Sequence, residues 1–109
     1  MDKLAVLWTT ENEETFSKMI FPYVYNSKKK GWFDEVVLII WGPSQLKAIE
    51  KFSDDIKKLI DINVIVEACK WCSDQYNISN ELEELGINVR YTGEPLTHYL
   101  KNNYKVLSI

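Results

Sequence analysis

The sequence predicts an α/β fold, a parallel sheet with helices on both faces. Three observations carry that expectation. Strand-like segments recur along the 109 residues, at 4–8, 36–41, 64–66, 87–91 and 104–109, the first three of them apolar throughout. Segments with helical apolar spacing separate them, and strand–helix alternation is the pattern of a parallel sheet covered on both sides. No linker, repeat or low-complexity stretch intervenes, so residues 1–109 read as one domain.

Each element has its own local reason. The first strand, Leu4-Ala5-Val6-Leu7-Trp8, is apolar throughout, as expected for burial on both faces. Thr10 with Glu13 three residues on forms a capping box for the first helix. Phe16, Met19, Ile20, Tyr23 and Val24 then share one helical face, Pro22 should kink the helix, and Gly31 should close it. The second strand runs to Trp41 and stops at Gly42-Pro43-Ser44. Leu46, Ile49, Phe52, Ile56, Leu59 and Ile60 mark the next helical region, interrupted near Ser53-Asp54. The third strand ends at Ala68-Cys69, and a short helical turn follows. Ser79 reads as the N-cap of a brief helix ending at Gly86. After the fourth strand, Pro95 suits the first position of the last helix, and residues 104–109 form the fifth strand.

Composition excludes whole classes of function. Hydrophobic residues are 46% and charged residues 27%, unlike a disordered or fibrous chain. Two Cys do not make a disulfide scaffold. Net charge is −3, and Arg90 is the only Arg, a balance that argues against nucleic acid. Lys28, Lys29 and Lys30 read as a solvated helix end, where cations suit the dipole. No apolar stretch reaches the roughly 18 residues that span a bilayer, and the first apolar run is too short for a secretory segment. The expected setting is the cytoplasm, where thiols stay reduced.

Ligands of open parallel sheets bind beyond the carboxyl ends of the strands. Trp8-Thr9, Trp41-Gly42-Pro43-Ser44 and Cys69-Lys70-Trp71-Cys72 all fall on that edge. Cys69 and Cys72 form a C-x-x-C pair at a strand-to-helix junction, where helix-start amides and Lys70 favour a thiolate. The same pair also fits buried small hydrophobes. Trp8, Thr9, Trp41, Ser44, Lys70 and Trp71 are candidates for the pocket wall, although core packing explains Trp8 and Trp41 equally well. His98 and Glu67 are possible auxiliaries. Glu67 has three candidate roles: pairing with Lys70, meeting a subunit partner, or holding the site. Zinc needs four ligands, and two Cys with one His fall short, so neither metal nor cofactor is expected. A C-x-x-C after a strand also occurs in thioredoxin-like chains, but here two strand–helix units precede it.

The opening strand Lys3-Leu4-Ala5-Val6-Leu7-Trp8, the segments Leu38-Ile39-Ile40-Trp41-Gly42-Pro43-Ser44 and Val66-Glu67-Ala68-Cys69-Lys70-Trp71-Cys72-Ser73-Asp74, and the ending Tyr91-Thr92-Gly93-Glu94-Pro95-Leu96-Thr97 together resemble the DsrE/DsrF-like family of small sulfur-relay and sulfur-oxidation proteins. The resemblance implies a three-layer α/β/α fold with a five-stranded, mainly parallel sheet. It implies a homo-oligomer, trimer or hexamer, and a protein sulfur donor or acceptor. It also implies that Cys69 ends the third strand and carries a persulfide. A Gly and an aliphatic residue follow that Cys in the relay members; here Asn77 and Ile78 stand there, and Asn is the next best residue for a left-handed turn. Cys72 lies outside the minimal relay pattern and would resolve the persulfide. The rival readings are a non-enzymatic oligomeric module binding a small ligand or protein, and a thiol redox sensor.

Overall fold

A computed structural model describes residues 1–109. Five strands form one all-parallel sheet in the order β4-β3-β2-β1-β5. They are β1 (Lys3–Trp8), β2 (Glu35–Ile40), β3 (Ile65–Cys69), β4 (Asn88–Arg90) and β5 (Lys105–Ser108). Between β1 and β2 run α1 (Glu13–Thr15), a π-helical turn (Phe16–Ile20) and α2 (Phe21–Lys29). α3 (Ser44–Glu50) and α4 (Ser53–Asp61) lead to β3, and α5 (Lys70–Gln75) and α6 (Ser79–Glu84) lead to β4. α7 (Gly93–Lys101) returns the chain to β5. No helix is long and apolar enough to cross a membrane.

The two faces are covered unequally, and the topology is the cause. The steps from β1 through β4 all move one way, so right-handed crossovers stack α1 to α6 on one face. The return past β1 to β5 reverses direction and leaves α7 alone on the other. The core divides accordingly. Leu4, Val6, Trp8, Val36, Leu38, Ile40, Val66 and Ala68 pack against Phe16, Ile20, Val24, Phe52, Ile56, Leu59 and Leu82 in a cluster of 19 buried residues. Ala5, Val37 and Ile39 meet Tyr99 of α7 in a second cluster of only four.

Several local expectations change. The first helix is capped by Asn12, not Thr10: Asn12 Oδ1 accepts from the Thr15 N–H, while Thr10 Oγ1 accepts from the Asn12 N–H. Glu13 reaches across to Lys47 and Lys51 on α3 and its C-cap instead of closing a capping box. At Pro22, where a kink is expected, the helical path continues but changes type. The π-helical turn precedes it, the Phe21 N–H bonds to the Phe16 carbonyl, and the widened ring makes room ahead of the proline. That turn keeps Phe16, Ile20 and Val24 inward and puts Met19 and Tyr23 on the surface. Ser79 is the first residue of α6 and caps nothing; its hydroxyl bonds to Asp74 and Ser73. Pro95 is the third residue of α7, not its first. Asn77 does take the left-handed conformation, at φ 58°.

Candidate functional site

The carboxyl end of β3 is where chain direction and chemistry meet. Cys69 is its last residue and the N-cap of α5, in extended conformation at φ −71° and ψ 114°. Cys72 lies one turn into α5. The two thiols are unbonded, and the Cys72 S–H donates to Cys69 Sγ at 3.3 Å. Cys69 is only 4% exposed, and Cys72 is half-buried in front of it. Burial pushes the Cys72 thiol up; the hydrogen bond and charge of Cys69 add to this, and backbone N–H groups of Gly42 and Cys72 partly offset it. The amide effect expected of a helix start therefore loses to desolvation at Cys72.

A buried polar clasp fixes this strand end. Gln45, in the first turn of α3, is 0% exposed. Its Nε2 donates to the Cys69 carbonyl at 2.9 Å and to the Ile40 carbonyl at 3.2 Å, tying β3 to β2. Its neighbour Ser44 donates to the Trp8 carbonyl at 2.7 Å, tying α3 to the end of β1. Gly42, at φ 81°, makes the turn that delivers both. The Gly42-Pro43-Ser44 break thus serves as a brace, and Ser44 spends its hydroxyl on the backbone. Gln45 escaped sequence reasoning; its only signal was a polar residue just after the break that ends the second strand.

The other sequence candidates separate. Trp8 is fully buried in the larger core, stacked on Phe16 with centroids 4.2 Å apart, so it walls no pocket. Thr9 is taken up by the end of β5: its N–H and hydroxyl both donate to the Ile109 carbonyl. Trp41 is half-buried on the α7 face. Trp71 is 63% exposed beside the cysteines, and Tyr91 is also exposed. Lys70 is paired with Asp74 at 2.9 Å along α5, which raises the lysine's pKa and lowers the aspartate's. His98 lies exposed near the end of α7, bonded to Asn102 and close to the rings of Tyr99 and Tyr104.

Glu67 does not meet Lys70. It is 1% exposed, accepts from the Tyr99 hydroxyl at 2.6 Å, and pairs with Arg90 at 3.1 Å. The only Arg in the chain thus holds the edge strand β4 to β3, and Tyr99 pins α7 across the sheet. The Tyr99 phenol is pushed up, first by burial and then by its bond to Glu67. Tyr104 donates to Glu35 in the same way, and its phenol is pushed up to about 12 by burial and that bond.

No protein-family model matches the chain, and no curated protein does. Solved structures do. The ychN protein from E. coli superposes with a TM-score of 0.77 over 100% of both chains at 17% identity, a likeness of fold, which is DsrE-like. The conserved protein of unknown function BT1422 from Bacteroides thetaiotaomicron is 39% identical, with a TM-score of 0.94 over 99% of this chain and 95% of that one. At that identity and coverage the chain belongs to the family of the Bacteroides protein, built on a DsrE-like fold.

Proposed function

We propose that the chain is a sulfur carrier that accepts, holds and releases a sulfane sulfur at Cys69. The observation that carries this reading is the unbonded thiol pair, 3.3 Å apart at the carboxyl end of β3. Cys69 thiolate attacks the outer sulfur of a donor persulfide. A new S–S bond forms on Cys69, the donor's S–S bond breaks, and the donor leaves as a thiolate. An acceptor thiolate then removes the outer sulfur and returns Cys69 to its starting state. Alternatively Cys72, after losing its proton to water, attacks Cys69 Sγ; a Cys69–Cys72 disulfide forms and hydrosulfide leaves. That disulfide is reset by a dithiol reductant, which supplies two electrons and is itself oxidised to a disulfide. The setting proposed is the cytoplasm, and the working form a homo-oligomer, trimer or hexamer, with a protein as sulfur donor or acceptor.

Intact mass spectrometry after exposure to a low-molecular-weight persulfide tests the chemistry. A gain of one sulfur that survives Cys72→Ser and vanishes in Cys69→Ser supports it; no gain in the wild type sinks it. Sedimentation velocity tests the assembly, and a monomer at all concentrations overturns that part. A second reading draws on the low exposure of Cys69 beside the exposed rings of Trp71 and Tyr91. In it this edge is a non-enzymatic binding surface, and binding of its partner tolerates the Cys69→Ser, Cys72→Ser double change.

A further inference from the structure

Toward the amino ends of the strands, away from the cysteines, lies a surface groove with different chemistry. Lys18, Met19, Pro22, Tyr23 and Asn26 form one side, along the π-helical turn and α2, and Trp32 from the following loop forms the other. Its volume is about 320 Å³. Met19, Tyr23 and Trp32, 52% exposed, are large apolar side chains in contact with solvent. The rings of Tyr23 and Trp32 lie 6.2 Å apart at 40°, an open wedge.

Two independent features single this groove out. The first is backbone geometry. Sequence periodicity groups Met19 and Tyr23 with Phe16, Ile20 and Val24, yet the extra residue of the π turn leaves only those three inside. Such turns recur at functional sites. The second is charge. Residues 16–32 hold Lys18, Lys28, Lys29 and Lys30 and no acidic residue, in a chain of net charge −3. Lys18, Lys29 and Lys30 make no ion pair, and Lys30 Nζ sits 5.9 Å over the Trp32 ring. Lys28 is spent on the Asp34 carbonyl.

We propose that this groove docks an acidic peptide segment of a partner protein, anchored by an aliphatic or aromatic side chain between Tyr23 and Trp32. Exposed aromatic and Met side chains adapt to an apolar anchor. The lysines at the rim select acidic neighbours and speed encounter. A short peptide concentrates its charge at that rim, whereas a long polyanion also meets the net negative charge of the rest of the chain. The docking is independent of sulfur chemistry at Cys69.

The test is an NMR titration of the full chain with a 12-residue peptide of Asp, Glu and two Leu, against the same peptide with Lys for every acid. The acidic peptide should shift the Met19, Tyr23 and Asn26 amides and the Trp32 indole, and the basic one should not. Trp32→Ala should weaken binding at least tenfold. Lys18→Glu with Lys30→Glu should do the same while leaving the half-exposed rings in place. Equal binding of both peptides, shifts confined to the cysteine edge, or unchanged binding in both variants overturns the proposal. So does displacement of the peptide by a dT oligonucleotide, or a self-association that Trp32→Ala abolishes.

Discussion

Replacing Gln45 by Met separates the brace at the end of β3 from the packing around it. Met keeps the length of the side chain and most of its volume but donates nothing. Two buried carbonyls, Ile40 and Cys69, lose their Gln45 donor. Stranding a buried acceptor costs about 1–3 kcal/mol. Against this, Gln45 Oε1 is itself buried without a partner, and its removal returns about 1–3 kcal/mol. The net loss should be about 2 kcal/mol. For a chain of this size that lowers Tm by about 8 °C. Urea unfolding followed by circular dichroism measures it, and an unchanged slope would show that the denatured state is not involved. The same change should quicken the reaction of Cys69 and Cys72 with a small disulfide reagent under native conditions, because the Cys69 carbonyl is no longer tied to α3. Ser44→Ala is the control: it releases the Trp8 carbonyl from the same turn and should destabilise without touching thiol reactivity. A Gln45→Met protein within 0.5 kcal/mol of wild type, on the scale expected of an ordinary surface change, refutes the reasoning. Equal thiol reactivity in the two variants refutes it as well.

Tyr99→Phe removes a hydrogen bond to a buried carboxylate and should cost about 1.5–3 kcal/mol; a double-mutant cycle with Glu67→Met, which keeps the length but has no oxygen to accept the bond, should show that most of the loss is shared. Both phenols are raised above the ordinary value near 10, so the unfolded chain ionises first as pH climbs. Their contribution should be whole below about pH 10 and fade as pH rises toward about 12, and Tyr99→Phe with Tyr104→Phe should flatten that limb in pH-dependent melts. Burial holds the Cys72 thiol protonated, so hydrosulfide release from a loaded wild-type chain should rise with pH about tenfold per unit through the neutral range, read by a sulfide electrode; a flat profile excludes Cys72 as the resolving thiol. Asn77→Gly should hold or gain stability at its left-handed turn, whereas Asn77→Ala should lose about 1 kcal/mol in chemical unfolding.

The central strands were legible because burial on both faces leaves an unbroken apolar run, and β2, with five of six residues buried, is the clearest case; the edge strands β4 and β5, which hold no fully buried residue, show only a mixed pattern. The same property hid the direction of the side chains. In β1, Leu4, Val6 and Trp8 face the large core and Ala5 and Leu7 the other side, but all five are apolar, so alternation gave no sign. The sequence therefore locates Trp8 at the carboxyl edge of the sheet but leaves pocket wall and core packing equal, and the fold decides for the core. Helix starts were read one candidate too early or too late. Thr10, Asn12 and Ser79 are all competent caps, and the competing side-chain bonds that decide among them come from the fold. The π turn left no trace in the spacing. The C-x-x-C pair was visible at once; its brace was not, because Gln45 and Cys69 are 24 residues apart.

The unequal layers account for where chemistry is possible. The larger cluster holds β1, β2 and β3 rigid from one side, and Gln45 and Ser44 extend that rigidity to the strand ends. On the other side one nine-residue helix covers the sheet, held by a small cluster and the Tyr99–Glu67 bond, with the Tyr104–Glu35 bond fixing the chain just after it. Side chains alternate along a strand, so Cys69 shares the face of Glu67, the thinly covered one. A thiol there has a fixed backbone behind it and, at 4% exposure, is covered in front as well. Cys72, delivered by α5 from the turn that follows, fills part of that front and supplies the second sulfur. Reaction at Cys69 thus requires its cover, of which Cys72 is a part, to move, while the larger core lies on the opposite face of the sheet.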